Sequence, residues 1–297
     1  MALTQGMPGT RRRTAAGIAF KVGTFLALLL VIGPALWILL GVVVRAVPHW
    51  QWSVLTTPTK GTSGGLENAL IGTLILMLGV LIVAGSIGVL AGIHLAELAK
   101  PRRSGKSSGG LLRTASDVLS GFPSIVLGYC GYVALVVGLR WGFSLLPALI
   151  ILSIMVIPYI AKSTESALRQ VPDSYREGTA ALGMSMGYSL RKVVLKSALP
   201  GIVTGLLIAL AIACGETAPL IYTAGFTNAL PGASLIHSRG FAYLTYPVFN
   251  FYDQPQAQAH YLAYDAALIL IVIVLVLLVS SRIVVARTQR HSESRGR

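Results

Sequence analysis

Residues 266–279 read AALILIVIVLVLLV, a run of 14 positions without a single polar side chain. The whole chain shares this character, because 54% of its 297 residues are hydrophobic and only 11% are charged. Soluble domains carry about 25% charged residues, so an ordinary soluble enzyme is excluded. A bilayer core about 30 Å thick is crossed by roughly 20 apolar helical residues. The composition therefore predicts a membrane protein, provided that the apolar residues form long runs.

Six apolar runs approach or reach this length, and polar turns separate them. They cover about residues 22–44, 67–95, 114–138, 144–161, 200–223 and 264–286. We therefore predict an all-α integral membrane protein with six transmembrane helices, its membrane domain at 22–286 lying between basic tails at 1–21 and 287–297. The fourth run is short, and its Pro147 and Pro158 predict a bent or broken helix because proline removes a backbone hydrogen bond.

The net charge of +14 is distributed unevenly along the chain. With six spans, 20 of the 24 Lys and Arg residues fall on one side: Arg11, Arg12, Arg13, Lys21, Lys100, Arg102, Arg103, Lys106, Arg113, Lys162, Arg169, Arg176, Arg191, Lys192, Lys196, Arg282, Arg287, Arg290, Arg295 and Arg297. The other side receives Arg45, Lys60, Arg140 and Arg239. Because basic loops remain in the cytoplasm, both termini are predicted to be cytoplasmic. The charge thus records orientation, and nucleic-acid binding is excluded.

The residues do not form a catalytic or metal-binding pattern. Gly105-Lys106-Ser107 resembles the end of a Walker A loop, but that motif needs a glycine where Lys100 stands. The histidines are scattered, at positions 49, 94, 237, 260 and 291. Cys130 and Cys214 both lie inside predicted spans, so no disulfide framework is expected. We predict a chain that is not an enzyme and that holds no cofactor or metal.

The connection between the fourth and fifth runs, at about 162–199, is much longer than most loops. Its pattern predicts helices at 163–170, 174–182 and 188–199, with a turn at Gly183 and Gly187 and a helix end at Pro200. Several aromatic, Leu and Met side chains are available on its surface: Tyr175, Leu182, Met184, Met186 and Tyr188. Such residues are favoured at adaptable protein interfaces. A docking element and an amphipathic segment lying on the membrane both fit.

The stretch Glu177-Gly178-Thr179-Ala180-Ala181-Leu182-Gly183 resembles the EAA loop of ABC-importer permeases. The resemblance implies that 163–199 forms coupling helices that fit a groove of a cytoplasmic ATPase, with the contact residues Tyr175, Arg176, Glu177, Leu182, Gly183 and Met184. This sequence has Gly178 and Thr179 where the motif has two alanines, and Lys196 where many members have proline.

Three further stretches resemble the PstA-type phosphate permease family: residues 215–220 (GETAPL), 117–126 (DVLSGFPSIV) and 68–73 (NALIGT). Together with the loop they are collinear over about 66–285. The resemblance implies a type I ABC-importer permease that moves inorganic phosphate and pairs with a second, PstC-like permease. It further implies a homodimeric PstB-like ATPase that binds ATP and Mg, an extracytoplasmic PstS-like phosphate-binding protein, and location in the bacterial inner membrane.

Glu216 lies inside a span otherwise made of Ala, Leu and Ile. A charged side chain at bilayer depth costs roughly 2.5–3.5 kcal/mol, so it is expected to face a cavity or a partner. Gly215 and Pro219 predict a helix break beside it, and Pro123 another in the third span. We predict that Glu216 and Thr217 line a translocation path, since a carboxylate accepts a hydrogen bond from P–OH and a protonated Glu216 would instead donate one to phosphate. An ion pair or hydrogen bond to a neighbouring span is the alternative.

Phosphate also needs cations, and related permeases commonly carry one arginine four residues before this glutamate and a second at the end of the fourth span. The corresponding positions here are Ile212 and Lys162, so one basic contact is missing and the other is altered. Lys162 remains a path candidate, although a lysine at a span end also extends towards the membrane surface. Aromatic residues of the 224–263 connection form an interfacial belt or meet the binding protein: Tyr243, Tyr246, Phe249, Phe251 and Tyr252.

Three alternatives to phosphate import remain. A permease for another oxyanion, such as molybdate or sulfate, would share the fold. A secondary transporter would work without an ATPase, but it would leave the long 162–199 connection without a role. A membrane scaffold or receptor would leave Glu216 unexplained.

Overall fold

The computed structural model describes residues 9–99, 108–232, 234–237 and 240–293. It divides into two units, the first ending at Trp50 and the second beginning at Gln51. The first unit contains α1 (Gly9–Ala46), which has Pro34 inside it and ends in a 3-10 turn at Val47–His49. From Ile18 to Leu40 the apolar side chains of α1 are exposed, as expected for a helix that faces lipid or another subunit.

The second unit is mostly helical. After a 3-10 turn at Trp52–Leu55 and a small hairpin of β1 (Thr59–Lys60) and β2 (Ser63–Gly64), it contains α2 (Glu67–Ile93), α3 (Ser108–Ser120), α4 (Ser124–Gly131), α5 (Leu145–Arg169), α6 (Asp173–Ala181), α7 (Met186–Ser189), α8 (Leu195–Gly215), α9 (Ala218–Thr223), α10 (Thr245–Asn250) and α11 (Ala257–Glu293). Stretches of π-helix continue α2 over His94–Leu98, continue α4 over Tyr132–Gly138, and join α7 to α8 over Leu190–Val194.

Among the described residues, five helical segments are long and apolar enough to cross a membrane: Ala16–His49, Glu67–Leu98, Leu145–Arg169, Met186–Gly215 and Ala257–Ala286. A sixth candidate consists of Gly109–Ser120 and Ser124–Gly138, two helices that meet at 99°. These segments coincide with the six predicted runs, and the prediction of an all-helical membrane protein is confirmed. The third run, however, is divided by a sharp bend.

The fourth span is the most buried of the five continuous candidate spans. Of the two outcomes predicted there, a bent or a broken helix, the broken helix is wrong, because α5 is uninterrupted. Pro147 lies in the first turn of α5, where a missing N–H loses no intrahelical bond. Pro158 lies in the interior of α5, where packing against neighbours holds it. On one side α2 approaches so closely that a Cβ at Gly92 would lie 2.5 Å from Thr164 Cβ. On the other, a Cβ at Gly201 of α8 would lie 2.7 Å from Ala167 Cβ.

The helix boundaries of the 162–199 connection also differ from the prediction. Residues 163–169 are the end of α5 rather than a separate helix. The segment from Met186 continues without interruption to Gly215, so Pro200 does not end a helix there. Thr204 Oγ1 donates to the Pro200 carbonyl at 2.8 Å, one turn earlier in the same helix. The fifth span therefore begins as part of the connection, which fixes α7 rigidly to the membrane domain.

Buried polar residues at the start of α2 hold the 224–244 segment. Asn68 Oδ1 accepts from Thr59 N at 3.1 Å, and its Nδ2 donates to the Thr227 carbonyl at 2.9 Å. Thr73 Oγ1 accepts from Leu244 N at 2.9 Å. The NALIGT stretch therefore has a structural role, which is to attach the connection between spans five and six to span two.

Most aromatic residues of that connection are packed inside the chain. The rings of Phe226 and Tyr246 stack with centroids 4.1 Å apart, and Tyr243 is 1% exposed. Phe249 and Tyr252 are exposed. Of the five aromatic residues singled out in the sequence, these two are therefore the ones available to contact lipid or a binding protein.

Candidate functional site

The fifth span is interrupted at Glu216. Helix α8 ends at Gly215, Glu216 has an extended backbone (φ −73°, ψ 132°), and α9 begins at Ala218 with Pro219 in its first turn. Proline in that position supplies no N–H to continue the preceding helix. The Glu216 carbonyl, freed by the break, accepts a hydrogen bond from Thr245 Oγ1 at 2.9 Å. The carbonyl that the break releases therefore has a hydrogen-bond partner, as burial in a membrane requires.

The third span is interrupted in the same way. Helix α3 ends at Ser120, and α4 begins at Ser124 after Pro123, which has an extended ψ of 128°. Helices rarely continue through the residue before a proline, so Pro123 sets the start of α4. The prediction placed this break correctly, but it gave no role to the serine that follows.

The two breaks lie against each other. A Cβ added at Gly128 of α4 would lie only 2.6 Å from the Cα of Pro219, so glycine is needed for this approach. The Glu216 side chain, which is half-buried, lies beside Ser124 at the start of α4. Glu216 thus occupies a junction of two interrupted spans and has a neutral partner instead of a cation. In the alternative interpretation, a hydrogen bond from Glu216 to a neighbouring span, Ser124 would be the partner.

Lys162 lies at the other end of the same interruption. Its Nζ is 2.7 Å from Asp117 Oδ1 and 3.3 Å from Ser120 Oγ, both on α3. Because α5 extends to Arg169, Lys162 is two turns inside the helix rather than at its end. The segment from Ser120 to Ser124 is therefore flanked by a lysine and a glutamate. The lysine is already paired with a carboxylate in this conformation.

Three further residues near the break, Thr217, Gly215 and Ile212, were also singled out in the sequence. Thr217 is half-buried and makes no side-chain cap to α9. A Cβ at Gly215 would meet no atom within 4 Å, and its φ is not positive, so this break does not require glycine. Ile212 packs against the hydrophobic core. A cavity of about 10 Å³, room for about one water, lies beside the break between Ala213, Leu220 and Tyr243.

A second candidate surface lies on α6 and the turn after it, and we call it the coupling surface: Tyr175, Glu177, Leu182, Gly183, Met184, Met186 and Tyr188. All of these residues are exposed, and Leu182 is 74% exposed. Gly183 has φ 68°, and its N–H donates to the Ala180 carbonyl while Met184 N–H donates to the Thr179 carbonyl. This is the glycine-terminated helix end known as the Schellman motif. It explains the glycine at this position physically.

One departure from the alanine pattern has a visible role. Thr179 Oγ1 lies 2.5 Å from Ser189 Oγ, and both side chains are buried. The bond joins α6 to α7, so the two short helices present one surface. The other departure, Gly178, is exposed, and a Cβ there would meet no atom within 4 Å. Nothing in the structure explains the glycine at that position.

Arg176 does not belong to the coupling surface. Its side chain is 23% exposed and turns towards the membrane domain, where Nη2 is 2.6 Å from Glu97 Oε1. The hydrogen bond to Glu97 is the main cause that raises the pKa of Arg176 above its ordinary value, with the nearby charges of Glu97 and Asp173 acting in the same direction. The guanidinium is therefore always charged.

Four partner residues were not identified from the sequence: Ser124, Asp117, Thr245 and Glu97. Ser124 and Asp117 lie in the 117–126 stretch that carries the resemblance, so a proline-centred break flanked by polar residues was the available signal. Thr245 and Glu97 act through tertiary contacts and had no local signal. Within the described ranges, no group of three or more His, Cys, Asp or Glu side chains could hold a metal ion.

The chain is similar to membrane components of binding-protein-dependent transport systems. Residues 87–290 match the family model described as "Binding-protein-dependent transport system inner membrane component". The chain is 56% identical over 257 residues to the phosphate transport system permease protein PstA 2 of Mycobacterium bovis, covering 86% of this chain and 83% of that protein. It is 33% identical over 255 residues to the phosphate transport system permease protein PstA of Yersinia pestis, covering 85% of this chain and 84% of that one.

Among solved structures, the fold resembles an inward-facing conformation of the MetNI methionine ABC transporter. The TM-score is 0.53 at 23% sequence identity, and the match covers 75% of this chain and 94% of that one. At this identity the likeness concerns the fold alone. The predicted type I ABC-importer permease fold is thereby confirmed, and the chain is a multi-pass membrane protein.

Proposed function

This chain belongs to the family of binding-protein-dependent transport system inner membrane components, and we propose that it is the permease subunit of an ATP-driven importer that moves inorganic phosphate into the cytoplasm. The assignment of phosphate as the substrate rests on the 56% identity, over most of the chain, to a protein named for phosphate transport. The paired helix breaks around Glu216 supply a physical place for an anion to cross.

We propose that the junction of the two breaks is part of the phosphate path. Phosphate at neutral pH carries one or two protons, so P–OH donates to the Glu216 carboxylate, whereas sulfate has no proton to donate. Ser124 both donates and accepts, and it adapts to either partner. Lys162 supplies positive charge when Asp117 releases it, and the second permease subunit supplies the rest. Selectivity then comes from hydrogen bonding to a protonated oxyanion.

The coupling surface is the proposed ATPase contact. Its exposed Leu, Met and Tyr side chains suit an adaptable protein interface. ATP and Mg bind to the partner ATPase, and this chain, which has no Walker A motif, hydrolyses none. Both termini and the coupling surface face the cytoplasm in this proposal. A homologous permease and a phosphate-binding protein outside the membrane complete the complex.

The test is purification of the tagged chain followed by reconstitution. We expect an ATPase and a second permease to co-purify, and proteoliposomes of that complex with its binding protein to take up labelled phosphate only when ATP is enclosed with the ATPase. Preferential uptake of molybdate or sulfate would assign another oxyanion. Uptake by the chain alone, without an ATPase, would contradict the importer.

A further inference from the structure

One arginine side chain ties the coupling helix α6 to two spans. Arg176 Nη2 donates to Glu97 Oε1 at 2.6 Å and to the Leu168 carbonyl at 3.0 Å. Its Nη1 donates to the Val171 carbonyl at 2.9 Å. Glu97 belongs to the end of span two, Leu168 to the last turns of span four, and Val171 to the link that follows. The fixed fork of the guanidinium allows all three contacts at once.

The contact with Glu97 is buried, which distinguishes it from a surface ion pair. The Glu97 side chain is 6% exposed, and it lies in the π-helical turn His94–Leu98 that ends span two. A buried carboxylate that loses its partner is left as an uncompensated charge, which is strongly unfavourable. Separation of Arg176 from Glu97 would therefore be costly.

The same arginine has a second carboxylate neighbour that serves as an internal comparison. Asp173 Oδ1 lies 3.4 Å from Nη1, and the Asp173 side chain is 86% exposed. An exposed pair of this kind contributes little, because water and salt screen it. The chain thus offers two carboxylates on one guanidinium, one buried on a span and one exposed on α6 itself.

We propose that Arg176 is a positioning residue that transmits displacement of α6 to span two through Glu97, so that ATPase closure moves spans two and four as one body. This inference rests on the proposed function, because it presumes an ATPase that displaces α6. It assigns to Arg176 a role inside the permease rather than at the ATPase surface. The π-helical turn is the point at which the displacement enters span two.

The test compares Glu97→Gln with Asp173→Asn in the reconstituted complex. Glutamine keeps the size and one acceptor of Glu97 but removes its charge. We expect Glu97→Gln to lower phosphate transported per ATP hydrolysed by about fivefold or more, while hydrolysis continues and the ATPase still co-purifies. Asp173→Asn should match the wild type. An unchanged transport ratio in Glu97→Gln would overturn the proposal. If Glu97→Gln does not assemble, Arg176→Lys, which keeps the charge but loses the fork, must show the lowered ratio.

A second readout separates this proposal from the proposed function. ATP binding should change amide hydrogen exchange at 94–98 in the wild-type complex, and Glu97→Gln should abolish that response while leaving the response of α6. If the wild type moves no phosphate but still shows the ATP response at 94–98, the proposed substrate fails and the transmission stands. If the wild type transports phosphate and Glu97→Gln shows the same ATP response at 94–98 as the wild type, the proposed transmission through Glu97 is wrong.

Discussion

The close approach of the two helix breaks predicts a strong effect of a single methyl group. In Gly128→Ala, the new Cβ would lie 2.6 Å from Pro219 Cα and 3.3 Å from the Ala218 carbonyl oxygen, both of them backbone atoms. Carbon atoms pack at about 3.5–4.0 Å, so α4 and α9 must separate by roughly 1 Å. Overpacking of this kind costs about 1–3 kcal/mol. The separation also moves Ser124 away from Glu216 across the same junction.

The assay is thermal unfolding of the purified complex in detergent together with ATP-dependent phosphate uptake. Gly128→Ala should lower both the unfolding temperature and the uptake. Gly215→Ala is the matched control, because it removes a glycine from the same junction where a Cβ meets no atom within 4 Å. It should behave as the wild type. Wild-type stability and uptake in Gly128→Ala, or equal damage from Gly215→Ala, would show that the close approach of α4 and α9 does not require glycine at position 128.

Two further predictions concern α6, at Gly178 and Thr179. Gly178→Ala, at an exposed helical position where a Cβ meets no atom within 4 Å, should stabilise α6 by about 0.5–1 kcal/mol and slow its amide hydrogen exchange; faster exchange would contradict this. Thr179→Val keeps the shape but removes the hydroxyl that contacts Ser189. It should cost about 1–3 kcal/mol, because the buried Ser189 hydroxyl loses a partner, and it should increase the exchange of α6 and α7 together. An increase confined to α6 would show that the bond does not join the two helices.

The number of spans could be predicted from the sequence because each span is a local property. Runs such as 266–279 need no tertiary information, and helices of this length satisfy their own backbone in lipid. Proline was less reliable as a guide. Pro123 and Pro219 stand at helix starts, whereas Pro158 and Pro200 lie inside continuous helices. Packing from neighbouring helices decides between these outcomes, and it leaves no local signal.

The candidate site could be predicted only in part for the same reason. Glu216 was identifiable because a charge in an apolar run is costly wherever it lies. Its partner Ser124 lies 92 positions earlier in the chain, and Arg176 pairs with Glu97 over a separation of 79 residues. The coupling loop as a whole was visible from its length and exposed side chains. The orientation of Arg176, away from the coupling surface, could not be predicted because it results from the tertiary contact with Glu97.

ATP-dependent phosphate uptake by complexes that carry Glu216→Gln shows directly whether the Glu216 carboxylate takes part in phosphate transport. Glutamine fits the same space but loses the carboxylate that accepts a hydrogen bond from P–OH. We predict that uptake falls well below the wild type in membranes of equal permease content, and that the coupled ATPase activity changes with it. Unchanged uptake and unchanged coupled ATPase activity would contradict the claim that Glu216 lies on the phosphate path.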